Sequence, residues 1–533
     1  CFFINKKIEL VGEVFLSEEK NLDYIPSPFL NGLMDNFLDE GYFPLYETNR
    51  GCPFSCTFCV WGISALHKIK TFSIERVKSE FNYVANNFQN STMWFLADAN
   101  FGILPRDVEI AELIRNIYDK TNAFDLVILY WTKNVTDRSY KIAKTLGKLC
   151  EAYVALQSLD PEVLKLIKRS NISIDKLLHF KNEVGPYTKG SLTDILLGQP
   201  GETKQSHINS FYGAMKLGFD QIGGGEIRLL PGSEMDEDQS RRDYGLKTKF
   251  RIGEGSLGVY RDKFIFEVEE VVRSTNWITE DEMLDLRSVR ALVYTATTLG
   301  ELSPLNSVLV NNDINILKVF EDLIKNANKN TALYKMIIEL DNLAKNEWFE
   351  SRESAIKYYN RIAKPDNLEK ISPIKLNFWV LAKMLKSSQI YEDFLLEFKN
   401  SVLRLSNKID EKTLDELLNI CKERNYIRSI LKGDISINKE LPISEKTFKE
   451  LVEAKVVGDF LYKNKVFLKI PSKLSLSLQK KCKNFDTLNE LEVSMLIQDY
   501  SMHIQMLIDS GRSLTAKDSK NSQFEVVNQG NLN

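Results

Sequence analysis

Three cysteines within a stretch of eight residues are the feature of this sequence best suited to carry chemistry. Cys52, Cys56 and Cys59 follow the spacing Cys-x3-Cys-x2-Cys, and no fourth cysteine lies nearby. Thiolates are the usual protein ligands of iron–sulfur clusters, and a cubane cluster contains four irons. Three thiolates therefore leave one iron open to a ligand that is not protein.

A zinc site is the main alternative for the same residues. Cys52, Cys56, Cys59 and His67 would supply three sulfurs and one imidazole nitrogen, although the spacing is unusual for a zinc ribbon. A disulfide is disfavoured because seven cysteines in 533 residues are an odd and sparse set. The iron–sulfur interpretation is preferred, and the zinc site stays open.

The cysteine spacing, with Phe58 directly before the third cysteine, resembles the signature of radical S-adenosylmethionine (SAM) enzymes. The resemblance implies a [4Fe-4S] cluster on the three cysteines, with the amino and carboxylate groups of SAM on the fourth iron. An electron from the cluster then cleaves the sulfonium to methionine and a 5′-deoxyadenosyl radical. It also implies that Phe58 packs beside the cluster and that the backbone of Val60 and Trp61 meets the adenine.

Strand-like and helix-like patterns alternate between residues 43 and 231, which predicts parallel βαβ units. The expected fold class is α/β, a partial (βα)6 barrel followed by a mostly helical C-terminal region. Ser73, Asp137 and Asp160 are expected to cap three of the helices. The six predicted strands are 44–48, 93–96, 126–131, 153–156, 192–197 and a part of 221–230.

Reactive residues in parallel barrels lie at the C-terminal ends of the strands. Asp98 and Asn100 follow the second predicted strand, where radical SAM enzymes carry a Gly-Gly-Glu-like segment that holds the methionine amine. This sequence departs from that segment, so the two residues are substitutes by position only. An aspartate that caps the following turn is the alternative interpretation.

Two later turns also resemble cofactor-binding segments of the family. Gln157 and Ser158 resemble a polar pair that reaches the ribose hydroxyls or the methionine carboxylate, with a helix-capping turn as the alternative. Gly198 and Gly201 lie in a turn that resembles Gly-x-Pro-Gly-Glu-Thr, where glycine lets the backbone approach the adenine. Glu202 could simply begin the next helix, since a negative charge is favourable there.

The sixth predicted strand contains Gly-Gly-Gly-Glu at residues 223–226. Because this segment lies in the wrong strand for the methionine amine, its glycines are interpreted as a bulge or a close backbone approach. Glu226 and Arg228 alternate along the strand, which would direct both toward the barrel interior and a substrate.

The predicted organisation has six parts. The leader and the extension resemble those of the cobalamin-dependent branch of the family, with the N-terminal cobalamin domain missing and without the Asp-x-His-x-x-Gly motif of a cobalamin ligand. The chain begins with Cys1, so the sequence leaves open whether it is a fragment. The parts are a leader at 1–43, the barrel at 44–232, an extension at 233–305, a helical domain at 306–432, a mixed α/β unit at 433–512 and a disordered tail at 513–533.

The amino-acid composition limits the classes of partner and the cellular location that are expected for this chain. A hydrophobic content of 43% can fill packed cores, and a net charge of −3 argues against a nucleic-acid partner. No apolar run reaches the roughly 18–20 residues of a membrane span. The expected location is the cytoplasm, where thiols stay reduced.

The sequence therefore predicts a radical SAM enzyme that modifies an unactivated carbon of a small molecule. The resemblance implies a flavodoxin- or ferredoxin-type electron donor. One alternative is a cobalamin-dependent methyltransferase whose cobalamin domain is lost, and cobalamin is then a further cofactor. The other is a zinc-stabilised binding protein without redox chemistry.

Overall fold

The computed structural model describes residues 22–470 with gaps, together with Phe3–Ile4, Ile8–Glu9, 487–489 and 492–494. The gaps are 63–66, 89–92, 134, 185–186, 189–190, 220, 261–262, 365–374, 426–427, 429–430, 432–436, 455–459 and 463–464. The chain divides into two compact units. The first comprises Cys1–Ala155, Leu164–Leu192 and Leu230–Glu237, and the second comprises Leu156–Val163, Thr193–Leu229 and Asp238–Asn533.

Short strands and helices alternate along the first half of the chain. The strands are β1 (Phe3–Ile4), β2 (Ile8–Glu9), β3 (Leu45–Tyr46), β4 (Asn49–Arg50), β5 (Lys70–Thr71), β6 (Met93–Phe101), β7 (Leu126–Trp131), β8 (Ala152–Tyr153), β9 (Ser191–Asp194) and β10 (Gln221–Gly223). The helices are α1 (Asp35–Asp39), α2 (Ile74–Asn87), α3 (Asp107–Thr121), α4 (Asp137–Leu146), α5 (Pro161–Leu166), α6 (Ile174–Val184) and α7 (Lys204–Lys216).

Six of these strands form two three-stranded groups with the orders β3-β6-β7 and β8-β9-β10. In the first group β6 runs parallel to both neighbours, pairing Phe95 with Leu45 and with Ile128. In the second group β8 pairs in parallel with β9, and the Ile195 N–H donates to the Gly223 carbonyl at 3.1 Å. Strand and helix alternate as expected, and each predicted strand overlaps an observed one. The bounds differ, however, because β8 shares only Tyr153 with the strand predicted at 153–156, and β9 ends at Asp194 and not at residue 197.

An aromatic cluster fixes β3 and β6 against α2 in the first unit. The Trp94 ring lies 4.2 Å from Phe124 and 5.2 Å from Tyr46, and Tyr46 lies 4.5 Å from Phe81. All four side chains are almost fully buried. Ser73 caps α2 by accepting a hydrogen bond from the Arg76 N–H at 3.1 Å, as the sequence predicted. The packing holds the end of β3, from which the cysteine segment departs.

The second unit is mostly helical after a long hairpin. That hairpin joins β11 (Lys247–Tyr260) to β12 (Lys263–Ser274) in antiparallel pairing. The helices are α8 (Asp238–Asp243), α9 (Glu280–Thr297), α10 (Leu305–Asn311), α11 (Ile316–Asn326), α12 (Ala332–Asn346), α13 (Arg352–Ile362), α14 (Leu376–Lys386), α15 (Ser388–Leu405), α16 (Glu411–Glu423) and α17 (Glu445–Glu453). A small sheet has the order β13-β15-β14, from β13 (Ile437–Pro442), β14 (Phe460–Tyr462) and β15 (Lys465–Ile470).

Several local predictions need correction or fall outside the described residues. Thr136, not Asp137, caps α4, because the Thr136 and Ser139 side chains form a capping box and Asp137 is the first helical residue. The strand predicted to end at Leu96 continues to Phe101, with an irregularity in its pairing to β7. Most of the mixed α/β unit predicted at 433–512, and the whole disordered tail predicted at 513–533, lie outside the described residues. The six-part domain division stays a prediction.

Within the described residues, no helix combines the length and the apolar character needed to cross a lipid bilayer.

Candidate active site

The cysteine segment is a loop of the first unit that begins after β4 and ends at β5. Its two ends are joined by antiparallel pairing of Asn49 with Thr71 and of Arg50 with Lys70. The middle is anchored as well, because the Thr57 N–H donates to the Ile167 carbonyl at 3.2 Å. The three cysteines are therefore carried by a loop that is closed at its base and held at its centre.

Gly62 shows how tightly this loop folds back on itself. A Cβ atom at Gly62 would lie 1.7 Å from the Phe54 carbonyl oxygen. No side chain can occupy that space, so glycine is required by the close approach of the two backbone segments. The requirement falls just after the third cysteine.

Two of the cysteine sulfurs are buried and accept hydrogen bonds from long polar side chains. Cys52 is 4% exposed, and its Sγ accepts from Asn100 Nδ2 at 3.1 Å. Cys56 is 6% exposed, and its Sγ accepts from Lys133 Nζ at 2.8 Å. A sulfur that accepts a bond from a cation is placed as a thiolate would be.

Cys59 is partly exposed and is influenced by the other two thiols. Burial raises the pKa of its thiol, and the neighbouring Cys52 and Cys56 raise that pKa further. A hydrogen bond from the Trp61 backbone N–H and the positive charge of Lys133 oppose the rise in pKa. Two of the three sulfurs, those of Cys52 and Cys56, thus accept a side-chain hydrogen bond from the first unit.

Arg169 adds a second cation at Cys56. Burial lowers the pKa of its guanidinium, while the charge of Cys56 and a hydrogen bond to it act in the opposite direction. The side chain also donates to the Ala155 carbonyl and to Asn171 Oδ1, the latter at 3.1 Å. Two positive charges therefore face one thiol.

The donor set has the character of an iron–sulfur ligand set. Among the described cysteines none forms a disulfide. Within the same part of the chain, no three His, Cys, Asp or Glu side chains converge to hold one metal ion, and His67 is exposed. In a cubane each thiolate binds a separate iron, so the thiols need not converge on a single point. Three thiols in one loop, two of them with a side-chain donor on the sulfur, fit such a cluster.

Asp98 is fully buried and ties β6 to the start of the cysteine loop. Its Oδ1 accepts the backbone N–H groups of Thr48 at 2.7 Å and Asn49 at 3.1 Å, and its Oδ2 accepts the Thr48 hydroxyl. Burial raises the pKa of Asp98 to about 7. The expectation that Asp98 follows the strand is wrong, since it lies within β6. There its carboxylate accepts hydrogen bonds from the backbone N–H groups of Thr48 and Asn49.

The turn after β6 is capped by a different aspartate. Asp107 Oδ2 accepts the N–H groups of Gly102 at 2.7 Å and Leu104 at 3.0 Å. The alternative role of Asp98 as a turn cap therefore belongs to Asp107. Burial raises the pKa of Asp107 to about 6.

Asn100 also lies within β6 and is only 3% exposed. Its amide nitrogen is used by Cys52, as described above. Its Oδ1 is buried and has no hydrogen-bond partner among the residues that the structure describes. The side chain thus offers one unused acceptor beside a cysteine sulfur.

Phe58, Val60 and Trp61 surround the third cysteine with partly open side chains. Phe58 and Val60 are partly buried, and Trp61 is 38% exposed. The roles beside the cluster and the adenine stay predictions.

In the second unit, Gln157 and Ser158 form a strained polar turn. Gln157 has a φ of 66° and its N–H donates to the Asp194 carbonyl at 2.7 Å. Its Oε1 is buried without a partner in the described part of the chain. Ser158 Oγ accepts from the Asp160 N–H at 3.1 Å, which matches the helix-capping alternative.

The turn at Gly198 is organised around Glu202. Glu202 is fully buried; its Oε2 accepts the Gly198 N–H at 2.7 Å, and its Oε1 lies 2.9 Å from His207 Nδ1. Gly198 and Gly201 have φ angles of 91° and 82°, a region that favours glycine. Glu202 therefore holds the turn together, and α7 begins after Thr203 instead.

The sequence analysis did not identify Lys133 and Arg169, the two cations beside Cys56, as candidate site residues. Lys133 stands two residues after β7, so the rule about strand ends could have found it. Arg169 follows the end of α5, and nothing in its sequence context indicates contact with a cysteine.

Residues 46–210 match the family model described as the radical SAM superfamily. This segment is therefore similar to radical SAM domains. Around it the chain has an α/β organisation of alternating strands and helices, followed by a mostly helical region. The superfamily implies a [4Fe-4S] cluster and SAM as cofactors.

Two curated relatives are 32% identical to this chain. One is a 2-(S-pantetheinyl)-carbapenam-3-carboxylate methyltransferase from Streptantibioticus cattleyicolor, matched over 49% of this chain and 39% of the relative. The other is the cobalamin-dependent radical SAM methyltransferase TokK from Streptomyces tokunonensis, matched over 42% of this chain and 34% of the relative. The alignment thus spans well under half of the length of either relative.

Solved structures give a weaker likeness. The methyltransferase TsrM from Kitasatospora setae, with cobalamin and a [4Fe-4S] cluster bound, has a TM-score of 0.34 and 18% identity over 40% of each chain. The cobalamin-dependent SAM radical enzyme OxsB has a TM-score of 0.34 and 13% identity, covering 84% of this chain and 62% of that one.

Proposed function

We propose that Cys52, Cys56 and Cys59 ligate a [4Fe-4S] cluster and that the enzyme cleaves SAM reductively to modify an unactivated carbon of a small molecule. The observation that carries this proposal is that one anchored loop holds three thiols, two of which accept a side-chain hydrogen bond at sulfur. When bound, the cluster and SAM supply one electron and a carbon-centred radical. A flavodoxin- or ferredoxin-type protein would deliver the electron.

The surrounding residues have separate roles in this proposal. Lys133 and Arg169 compensate the negative charge at Cys56, and Asn100 orients Cys52. The unused Asn100 Oδ1 is a suitable acceptor for the amino group of SAM. Asp98 is a positioning residue, because its oxygens are already occupied by Thr48 and Asn49.

The other predicted SAM contacts rest on the family resemblance and on local geometry. Phe58 is proposed to pack beside the cluster, and the backbone of Val60 and Trp61 to meet the adenine. In the second unit, Gln157 Oε1 is a buried acceptor suited to a ribose hydroxyl, and Ser158 is proposed as its polar neighbour. Gly198 and Gly201 are proposed to let the backbone approach the adenine, because glycine has no side chain that would keep the two apart.

Methyl transfer with cobalamin is a second candidate function. It is favoured by the two relatives at 32% identity, which are both methyltransferases, one of them cobalamin-dependent. The substrate carbon would then receive a methyl group that originates from SAM. Formation of S-adenosylhomocysteine only when cobalamin is added would select this candidate over one that yields 5′-deoxyadenosine alone.

The cysteine assignment is tested by anaerobic reconstitution with iron and sulfide, followed by dithionite and SAM. We expect about four irons per chain in the wild type and 5′-deoxyadenosine among the products. Cys56→Ala should lose both the products and the iron–sulfur absorbance, since one iron loses its protein ligand.

Cys150→Ala is the matched control, because Cys150 is a free, buried thiol of the same unit outside the motif. It should retain iron and product formation. Full iron content and full product formation in Cys56→Ala would refute the assignment. Stoichiometric zinc in the wild type, without cleavage products, would favour the zinc-stabilised binding protein.

A further inference from the structure

A pocket of about 370 Å³ in the second unit is lined by several arginines and takes no part in the chemistry proposed above. Its walls come from β10 and the segment that follows it, from α9, from the start of α14, and from Arg251 and Glu347. We propose that this pocket binds the oxyanion of a small molecule, a phosphate or a carboxylate group. The proposal is independent of the iron–sulfur cluster.

The charge of the lining is strongly positive. Five cationic side chains and two carboxylates line the pocket, an excess of three positive charges. The cations are Arg228, Arg251, Arg287, Arg290 and Lys375, and the carboxylates are Glu226 and Glu347. Glu269, which is not part of the lining, pairs with two of the arginines.

Glu226 partly neutralises the positive charge of the arginines around it. Its carboxylate forms an ion pair with Arg287 at 2.8 Å, accepts a hydrogen bond from Arg273 at 2.9 Å and lies 3.4 Å from Arg251. These cations hold its pKa at about 2, against the opposing effect of burial. The earlier expectation that Glu226 serves a substrate is therefore not supported by its contacts, since the carboxylate is committed to arginines.

Arg290 forms no direct ion pair among the described residues, although the charges of Glu226, Glu202 and Asp194 act on its guanidinium from farther away. Its hydrogen bonds all come from Nη2 and go to carbonyl oxygens, those of Gly224 and, at 3.5 Å, of Ile195. No carboxylate pairs with it among the described residues, and burial lowers its pKa. Its Nε and Nη1 are left to face a ligand, and an oxyanion is the group that a guanidinium binds best.

The pocket has room for a ligand beside the bare backbone of Gly225. Gly225 lies in its wall, and a Cβ placed there would meet nothing within 4 Å, so the space before this backbone is open. The arginines around Glu226 also have a donor to spare, because Arg273 Nη2 is buried with no acceptor in the described part of the chain.

The arginines are held in place before any ligand arrives. Trp348 packs against three of them, with ring-to-guanidinium distances of 4.0 Å for Arg273, 4.8 Å for Arg251 and 5.0 Å for Arg287. Cation–π contacts and carboxylate pairs together fix these side chains. Such preorganisation reduces the entropy that binding would otherwise cost.

Titration calorimetry on the full chain, in a buffer free of phosphate and carboxylates, tests the proposal with two probes. Inorganic phosphate and succinate distinguish a phosphate site from a carboxylate site. We expect one of them to bind the wild type and Arg290→Gln to weaken that binding by about tenfold or more, the usual effect of losing a charged hydrogen bond. Arg242→Gln, an exposed arginine of the same unit, is the matched control.

Arg290→Lys and Arg228→Gln provide the same test should Arg290→Gln fail to fold. Arg290→Lys keeps the charge but not the planar fork, so binding should fall between that of wild type and that of the glutamine variant. Binding retained in Cys56→Ala would separate this site from the cluster. Absence of binding by both probes, or equal binding by wild type and the Arg290 variants, would overturn the proposal.

Discussion

Lys133 is the side chain whose charge bears most directly on the proposed cluster. Its Nζ donates to Cys56 Sγ at 2.8 Å and lies 4.5 Å from the centre of the Phe54 ring. A reduced cluster carries one more negative charge than an oxidised one, so a nearby cation favours reduction. Lys133 should therefore raise the reduction potential.

We predict that Lys133→Met lowers the midpoint potential of the reconstituted cluster by on the order of 50 mV, roughly a tenfold change for a one-electron couple. Spectroelectrochemistry measures this potential directly. Lys133→Arg keeps the charge and should stay near wild type, and Lys141→Met removes an exposed lysine that pairs with Glu112. A potential unchanged in Lys133→Met would show that the ammonium does not act on the cluster.

The cysteines could be predicted from sequence because their chemistry depends on a spacing only eight residues long. The contacts of Lys133 and Arg169 could not, because they depend on where chain segments 77 and more than a hundred residues from Cys56 are placed by the fold. Asn100 was predicted as a site residue, but its bond to Cys52 was not.

Strand β6 connects the core to the cysteine loop through Asp98. The sequence pattern ended this strand at Leu96, because an aspartate is rare in a buried strand. In the structure the carboxylate replaces a neighbouring strand as the acceptor for Thr48 and Asn49. The boundary was missed because tertiary hydrogen bonds overrode the local pattern, whereas the apolar β7 was predicted with its observed bounds.

We predict that the advantage of wild type over Asp98→Asn in melting temperature shrinks as pH rises from 5.5 to 8. The folded-state pKa of Asp98 is about 7, above the unfolded value near 3.9. A raised carboxyl pKa contributes stability that is present below the unfolded pKa and is lost as pH rises through the folded pKa. The asparagine does not titrate, so the difference between the two proteins isolates this carboxyl.

Differential scanning fluorimetry across this pH range measures the difference. Asp119→Asn removes a half-exposed carboxylate that pairs with Arg115 on α3, and serves as the control. A difference between wild type and Asp98→Asn that stays constant from pH 5.5 to 8 would contradict the raised pKa.

The chain as a whole carries two sets of charged groups with different purposes. In the first unit, cations face thiols that can take metal, and in the second an arginine cluster surrounds Glu226 beside an open pocket. Alternating strand and helix patterns predicted the α/β organisation, and the mostly helical C-terminal region was predicted as well. The arginine cluster was not predictable, because its members come from β11, β12, α9 and the segment after β10.

The claim on which the account depends is that three cysteines leave one iron of a cubane open for SAM. Mössbauer spectroscopy of the chain reconstituted with 57Fe, recorded with and without SAM, tests it most directly. We predict about four irons per chain, of which only one changes its isomer shift when SAM is added. Four irons whose isomer shifts all stay unchanged when SAM is added, or a chain that binds zinc in place of iron, would contradict the open-iron assignment.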